Sequence, residues 1–316
     1  MHRRALLSLL PAALSAQQLS KSFDSHGPVV IEKKREGKPR AGQVVVAIQP
    51  HSDDIPIFAA GLYAKLIDEG AIPYMIRVTN DDMAGPGNYA ETVTANKRDQ
   101  DALDRVFGIK KTYELNYNNH MMDNIARSEL RQRFIFLFRL LKLFRLLKAD
   151  IVITYDPTGH YEENPDHYVT SACVEAAAWM AGGSKDYPEH FDAGVKPHSV
   201  REKYYFARFQ QQVNRVIDIA PWVEKKIDAN WENKAQGPAG ETGARLRKRL
   251  ATEGKTLPLL GNDDRTAARE YIRQFVLDRD RAIGKEYGLQ YAEQYHYIGP
   301  EPDEVGDYIK QNARPR

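Results

Sequence analysis

The chain lacks the features that mark several common classes of protein. It has one cysteine among 316 residues, which excludes an internal disulfide. Its 45 basic and 43 acidic residues nearly cancel, and a formal net charge of +2 gives no reason to expect a nucleic-acid partner. It also lacks an internal repeat and a glycine-rich nucleotide motif. What remains is a globular chain long enough to bury one large core.

No apolar run is both long enough and free enough of charge to span a membrane in the mature chain. The densest apolar segment, residues 127–148, carries basic residues at every third position near its end: Arg139, Lys142, Arg145 and Lys148. Charges at this spacing argue against a spanning helix. We predict a helix that covers one face of a sheet, with the Lys and Arg stems along its flank. A basic helix on a membrane surface is the alternative.

The first residues, 1–16, have the pattern of a signal peptide: a basic start, a short apolar centre and small residues at the end. This pattern predicts export to the periplasm or the exterior. A disordered cytosolic N-terminus is the alternative. Residues 17–42 are polar and rich in Lys, Gly and Pro, which is typical of a linker or an extended arm.

A cluster of polar side chains follows the first clear strand. Residues 44–48 are apolar and rich in valine, which is typical of a strand buried on both faces. His51, Asp53 and Asp54 come directly after it, and a helix-compatible run, 57–67, follows. Ligand sites of open α/β sheets lie beyond the carboxyl ends of their strands, so this turn is a candidate site.

These three side chains suit a metal ion. His51 and Asp54, three positions apart across a tight turn, can point at one cation, and both are good zinc ligands. Asp53 then points elsewhere and stays free to take a proton. The alternative is that the two acids only cap the next helix and complement its dipole, which leaves the histidine unexplained.

A second turn of the same kind lies later in the chain. Residues 148–155 form a second β-branched strand, a polar loop follows at 156–166, and His167 precedes a helix-compatible run, 169–180. Two strand-to-helix turns of one parallel sheet open at the same edge. We therefore predict that His167 lies near His51 and Asp54 and completes a set of two histidines and one carboxylate.

Both turns resemble the signatures of the LmbE-like, or PIG-L, zinc-dependent N-deacetylases. The family has an A-H-P-D-D-E-like turn and a later H-P-D-H-like turn; here Q-P-H-S-D-D-I stands at 49–55 and N-P-D-H at 164–167. Weaker matches are T-N-D-D at 79–82, K-R-D-Q-D-A-L at 97–103, K-Y-Y-F at 203–206 and V-I-D-I at 216–219. The resemblance covers roughly residues 43–236.

The resemblance implies a fold and a domain organisation. The expected fold is an α/β three-layer sandwich with a mostly parallel, Rossmann-like sheet and its active site at the carboxyl ends of the strands. Residues 43–236 would form the deacetylase domain, and 237–316 a helical extension packed on it. Within the domain we also predict a hairpin of two strands, 203–209 and 213–219.

The resemblance also implies roles for residues of the two turns. His51, Asp54 and His167 match the metal ligands, Asp53 matches the general base, and Asp166 matches an acid that orients neighbouring groups. The expected cofactor is Zn²⁺, with Fe²⁺ or another divalent metal as the alternative.

Three positions depart from the family pattern. Ser52 replaces a proline and Ile55 a glutamate, and neither position is a ligand. Asn164 replaces a histidine that stabilises the oxyanion or protonates the leaving amine. An amide can donate a hydrogen bond but cannot deliver a proton at neutral pH. Either His160 or Tyr161 takes that role, or the chemistry is weakened.

Three further residues are candidates for binding substrate: Asp82 in a loop after the second strand, Arg98 by family analogy, and His120 in an amide-rich loop after the third strand. For Asp82 the favoured alternative is ordinary turn chemistry, and for Arg98 the equal alternative is a surface or sheet-anchoring role. The implied reaction is metal-assisted hydrolysis of an N-acyl, chiefly N-acetyl, group on an amino sugar or glycoconjugate, a small-molecule substrate.

Two other classes of function stay open. A two-histidine, one-carboxylate set is also the pattern of non-haem iron oxygenases, although those usually lie in all-β barrels. The second is an exported carbohydrate- or metal-binding protein without catalysis, which Asn164 permits. The sequence makes no prediction of the oligomeric state.

Overall fold

A central sheet of eight strands organises the protein in this computed structural model, which describes residues 28–139, 147–300 and 304–314. The strands are β1 (Val30–Glu32), β2 (Val44–Gln49), β3 (Ile72–Thr79), β4 (Thr112–Tyr117), β5 (Ala149–Tyr155), β6 (Glu202–Phe206), β7 (Arg215–Asp218) and β8 (Ala292–Ile298). Their order in the sheet is β1-β7-β8-β6-β5-β2-β3-β4. Strands β6, β5, β2, β3 and β4 are parallel, β1 is parallel to β7, and β8 runs antiparallel to both of its neighbours.

Helices cover both faces of this sheet. They are α1 (Asp54–Phe58), α2 (Ala60–Asp68), α3 (Tyr89–Phe107), α4 (Arg127–Arg139), α5 (Pro165–Met180), α6 (Glu189–Asp192), α7 (Val223–Glu232), α8 (Thr242–Thr252), α9 (Asp264–Tyr271), α10 (Asp278–Glu286) and α11 (Glu304–Asn312). A π-helical turn, Ile272–Val276, joins α9 to α10.

The two cores of the protein follow from the alternation of side chains along the central strands. On β2, Val45 and Ala47 face a core shared with α1, α2, α3 and α7, whereas Val44, Val46 and Ile48 face a core shared with α4 and α5. All six residues of β2 are buried, as expected for a central parallel strand. The predicted three-layer α/β sandwich with a mostly parallel sheet is therefore confirmed.

Helix α4 agrees with the prediction for the basic apolar segment as far as the structure describes it. Leu130, Phe134, Ile135 and Phe138 are fully buried against one face of the sheet. Residues 140–146 lie outside the described part of the chain. In the described ranges, no helix combines the length and apolar composition that crossing a membrane requires.

The N-terminal segment contributes to the sheet. The predicted signal peptide, 1–16, lies outside the described residues, as does 17–27 of the predicted linker. The rest of that linker contains β1, whose backbone pairs with β7 between Val30–Glu32 and Arg215–Ile217. This part is therefore an edge strand of the domain.

Strand β8 changes two predictions about the C-terminal part of the chain. It lies between β6 and β7, so the predicted hairpin of those two strands does not form. Residues 237–316 supply helices, as predicted, but also this central strand, so they are not only a helical extension. Tyr295 of β8 is fully buried and packs edge-on against Tyr204 of β6, with ring centroids 5.7 Å apart.

A buried ion network connects this late strand to the early helices. Lys226 of α7 is fully buried, and its Nζ lies 2.7 Å from Glu293 Oε1 and 2.8 Å from Asp280 Oδ2. The Glu293 carboxylate also accepts hydrogen bonds from the backbone N–H groups of Gly61 (2.8 Å) and Leu62 (2.7 Å). A Cβ on Gly61 would lie 2.4 Å from Ile219, so α2 approaches β7 this closely only with glycine there.

We expect Lys226→Met to destabilise the protein by about 3–5 kcal/mol, because it leaves two buried carboxylates without their shared cation. Chemical denaturation measures the change in the free energy of unfolding. Lys248→Met is the control, since the Lys248 side chain is 65% exposed and its ion pair is expected to be worth under about 1 kcal/mol. Equal stability of the two variants would contradict a structural role for the network.

Candidate metal centre

The turns after β2 and β5 meet, because these two strands are neighbours in the sheet. His51 Nδ1 lies 3.0 Å from His167 Nε2, and the Asp54 carboxylate lies 3.5 Å from each of these nitrogens. One ligand atom from each residue falls within 4.8 Å of the others, and all three residues are buried. The predicted set of two histidines and one carboxylate is therefore brought together and can hold a divalent cation.

Local hydrogen bonds shape the first turn so that its two acids separate. The Asp54 carboxylate accepts a hydrogen bond from the backbone N–H of His51 (2.8 Å), which closes the turn. The backbone N–H of Ser52 donates to the buried Asp81 carboxylate (3.2 Å). Asp53 occupies the N-cap position of α1 but accepts no capping hydrogen bond. Helix capping therefore does not account for Asp53, and its carboxylate is free to face the cavity.

Each histidine has a carboxylate at the nitrogen that faces away from the centre. His51 Nε2 lies 3.0 Å from Asp166 Oδ2 and 2.8 Å from Asn119 Oδ1. His167 Nδ1 lies 2.9 Å from Glu162 Oε1, a close contact whose geometry is not that of a hydrogen bond. Outer carboxylates of this kind fix the orientation of ligating imidazoles and raise their basicity.

Glu162 was not predicted from the sequence. Two acids, Glu162 and Glu163, are adjacent in the loop, and nothing in their order shows that the first turns inward. Its side chain is only 5% exposed, whereas Glu163 is exposed.

Tyr155, at the end of β5, was also missed. Its hydroxyl donates to Asp54 Oδ1 over 2.8 Å, and its ring stacks on that of His167 with centroids 4.0 Å apart. One side chain therefore positions two of the three candidate ligands. As the last residue of a β-branched strand, Tyr155 has the sequence pattern of an ordinary core aromatic residue.

The two neighbouring aspartates have opposite shifts of pKa. Burial, together with the charge of Asp54, raises the pKa of Asp53 to about 7. Burial acts in the same direction on Asp54, but the two imidazoles and the hydrogen bonds from His51 outweigh it and lower the pKa of Asp54 to about 2. Asp54 is thus suited to stay ionised as a ligand, and Asp53 to exchange a proton near neutral pH.

A cavity of about 310 Å³ opens over the three candidate ligands, within the size range of small-molecule sites. Beyond His51, Asp54, His167 and Tyr155, it is lined by Asp53, Ile57, Phe58, Ala84, Asn119, His120, Asn164, Arg208, Gln236 and Pro238.

Asn164 and Asp166 reach the site in different ways. Asn164 lines the cavity, and its Oδ1 accepts from the backbone N–H of Asp166 (2.9 Å), capping α5. Its side-chain amide nitrogen remains as a hydrogen-bond donor. Asp166 is fully buried behind His51, where its carboxylate also accepts from the backbone N–H of His120 (2.6 Å) and Met122 (3.2 Å).

His160 and Tyr161, the predicted replacements for the missing histidine, do not line the cavity. Both are exposed, and 72% of Tyr161 is accessible to solvent. Tyr161 has a left-handed backbone conformation, with φ of 58°, and at the next residue the chain returns inward with Glu162. The structure therefore corrects the prediction that either side chain acts at the centre.

Of the three predicted substrate-binding residues, His120 lines the cavity and the other two do not. Asp82 instead braces the neighbouring loop, accepting from the backbone N–H of Asn119 (2.7 Å) and from Asn118 Nδ2 (3.0 Å). Arg98 lines a different cavity, on the outer side of α3, so it is not brought to the candidate metal centre.

A segment at the predicted domain boundary completes the cavity. Gln236 Nε2 donates to Ser52 Oγ (2.8 Å) and Asn96 Oδ1 (2.9 Å), which holds residues 234–238 against the first turn. Gly237, with φ of 78°, lies so close that a Cβ there would come within 2.7 Å of Asp53 Oδ2. The boundary predicted at residue 236 therefore falls inside the site.

Comparisons with known proteins find relatives among the deacetylases. Residues 46–178 match the family model described as PIG-L, GlcNAc-PI de-N-acetylase, and this confirms the family resemblance. Diacetylchitobiose deacetylase of Thermococcus kodakarensis is 24% identical over 197 residues, which are 61% of this chain and 70% of that protein.

Solved structures share the fold. N,N'-diacetylchitobiose deacetylase from Pyrococcus horikoshii superposes with a TM-score of 0.64 at 20% identity, covering 97% of this chain and all (100%) of the other. GalB from Pseudomonas putida, a 4-carboxy-2-hydroxymuconate hydratase, superposes with a TM-score of 0.56 at 15% identity, covering 83% of this chain and 98% of the other. Since the second is a hydratase, the fold alone does not decide the reaction.

We expect Glu162→Gln to weaken zinc binding by about 10–100-fold, because the His167 imidazole loses the carboxylate that orients it. Competition with a chromophoric chelator measures the affinity. Glu163→Gln, a neighbouring exposed acid, is the matched control and should leave zinc affinity within about twofold of the wild type. Equal affinities for the two variants would show that Glu162 does not support a metal ligand.

Proposed function

We propose that the protein is a metal-dependent deacetylase, because residues 46–178 match the PIG-L family model. It hydrolyses the N-acetyl group of an amino sugar or a conjugate that contains one. The observation that carries the proposal is the buried His51–Asp54–His167 set with the free carboxylate of Asp53 beside it. The activity that names the Thermococcus and Pyrococcus relatives supports N-acetylated glucosamine units as the substrate class.

The donor set fits a divalent metal such as Zn²⁺. Two imidazoles and one carboxylate are borderline ligands of the type found in catalytic zinc sites, and Fe²⁺ accepts the same set. His51, Asp54 and His167 would hold the ion, which when bound supplies Lewis-acid polarisation of the acyl carbonyl and acidifies water. Tyr155, Asp166 and Glu162 orient these ligands before substrate arrives.

Asp53 moves the proton in this proposal. Its buried carboxylate, whose pKa burial raises above the ordinary value, takes a proton from the attacking water and holds it in the cavity. The departing amine needs a proton, and Asn164 has none to give. The protonated Asp53 carboxyl can return the same proton, so the missing histidine does not leave the cycle without an acid.

Asn164 and Arg208 are donors for the developing oxyanion. Both line the cavity, and the Arg208 guanidinium offers several N–H donors in a fixed planar geometry. Arg208 Nε lies 3.6 Å from Glu162 Oε2, the same carboxylate that faces His167, so its guanidinium is held beside the centre. Donors that are already in position contribute most to stabilising such charge.

We expect Asp53→Asn to lower kcat for acetate release from N,N'-diacetylchitobiose by about 10²–10⁴-fold while the protein keeps its metal. His167→Ala should lose both metal and activity. The measurements are enzymatic detection of acetate and metal content by mass spectrometry. Asp123→Asn, an exposed acid of the adjacent loop, is the control and should behave as wild type.

Asn164 also favours a second candidate, a binding protein without catalysis. Such a protein would bind the N-acetylated sugar with its metal in place and release no acetate, for wild type and Asp53→Asn alike. Wild-type turnover in Asp53→Asn would instead contradict the role of Asp53. Consumption of dioxygen with a 2-oxoacid would indicate the iron oxygenase alternative.

The N-terminal pattern supports a further part of the proposal, that the enzyme acts outside the cytoplasm. We expect cell fractionation to find the protein in the periplasm or medium, and its intact mass to correspond to a chain that begins at Gln17. A cytosolic protein that retains residues 1–16 would contradict export.

A further inference from the structure

A second cavity, of about 370 Å³, lies between the outer face of α3 and the segment after α7. We propose that this cavity, the arginine cleft, binds a phosphate group. It is defined by Arg98 and Arg105 of α3 and by Lys234 after α7, and Asp99, Glu232 and small apolar residues complete its lining.

The two arginines are the groups in the cleft without partners. They stand seven positions apart on α3, which places them on one face of the helix two turns apart. Both residues are exposed, and among the residues that the structure describes neither guanidinium forms a hydrogen bond, ion pair or ring contact, although the charge of Arg98 acts on the neighbouring Asp99. Two unpaired guanidinium groups that line one cavity suit a ligand with several anionic oxygens, and arginine binds phosphate through paired N–H donors.

The other charged residues of the cleft are already engaged. The Asp99 carboxylate is buried and accepts from the backbone N–H groups of Lys234 and Ala235, both over 2.6 Å. Glu232 Oε2 lies 3.4 Å from Lys234 Nζ. The acids therefore hold the segment in place, while Arg98 and Arg105 remain for the ligand.

The cleft and the candidate metal centre share one segment of chain. Lys234 and Ala235 line the cleft, and Gln236, the next residue, lines the catalytic cavity and bonds to Ser52. A phosphate held on Arg98 and Arg105 would thus lie against the segment that continues into the wall of the catalytic cavity. The phosphate can belong to the substrate itself or be a separate effector, and this connection to catalysis rests on the proposed function.

The binding test uses the full-length, zinc-loaded protein and inorganic phosphate, with calorimetry as the measurement. We expect the double variant Arg98→Gln/Arg105→Gln to bind phosphate at least tenfold more weakly than the wild type. The control is Arg245→Gln/Arg249→Gln, which removes two arginines from another cavity of about 350 Å³, where Arg249 is paired with Glu253. The control should keep wild-type affinity for phosphate.

Failure of the wild type to bind phosphate would overturn the proposal. Equal binding by the Arg98→Gln/Arg105→Gln variant would do so as well, since it would place the phosphate on the metal or elsewhere. This test does not depend on activity, so it can succeed even if the protein proves not to be a deacetylase.

Kinetics on the same variants distinguishes the two sources of the phosphate. If it is part of the substrate, an N-acetylhexosamine phosphate should have a KM at least tenfold below that of the neutral sugar, and the double variant should lose this difference. If it is an effector, free phosphate should change turnover of the neutral disaccharide in the wild type but not in the double variant. Either pattern supports a functional cleft, and wild-type kinetics unaffected by phosphate in both forms would contradict the connection to catalysis.

Discussion

The crowding of buried acids around one point is the constraint on which the site depends. The carboxylates of Asp53, Asp54 and Asp166 lie at or directly behind the two imidazoles, whereas the nearby Asp81 and Glu162 already face Arg77 (3.3 Å) and Arg208 (3.6 Å). Buried like charges cannot all ionise unless positive charge accompanies them. The carboxylates of Asp166 and Asp54 accordingly overcome burial and raise the pKa of His51 well above its usual value. A divalent cation between His51, Asp54 and His167 satisfies the same requirement, which is the physical reason to expect one.

The rest of the scaffold keeps this unfavourable cluster in a single arrangement. Adjacent parallel strands set the distance between the two turns, and the Tyr155 hydroxyl, the Asp166 carboxylate and Glu162 fix the rings and the carboxylate that face the centre. Because these groups are already oriented, binding an ion requires little rearrangement. The buried Lys226 network has a similar role elsewhere in the fold, where it ties the late strand β8 to α2.

Local sequence patterns predicted the candidate metal ligands. The features that they missed depend on contacts between residues far apart in the sequence. A β-branched strand that ends in a histidine or acid is visible within a window of ten residues, so His51, Asp54 and His167 were predictable. Strand β8 pairs with residues 74 to 95 positions earlier in the chain, and its tyrosines alternate with polar residues, so the sequence does not reveal its neighbours in the sheet. Glu162 and Glu163 are adjacent and of the same residue type, so the sequence does not show which side chain turns inward. The loop turns at Tyr161, whose left-handed backbone no local sequence pattern indicated.

Two parts of the chain build the cavity over the candidate metal centre, one inside the family match and one beyond it. The family match ends at residue 178, and it includes every candidate metal ligand together with Asp53 and the orienting acids. Arg208, Gln236 and Pro238 come from beyond it, yet they form a wall of the same cavity. A hydratase and a deacetylase share this fold, so the fold alone does not select the reaction. Residues 234–238 lie against Asp53 and also line the arginine cleft, so this segment joins the two cavities outside the family match.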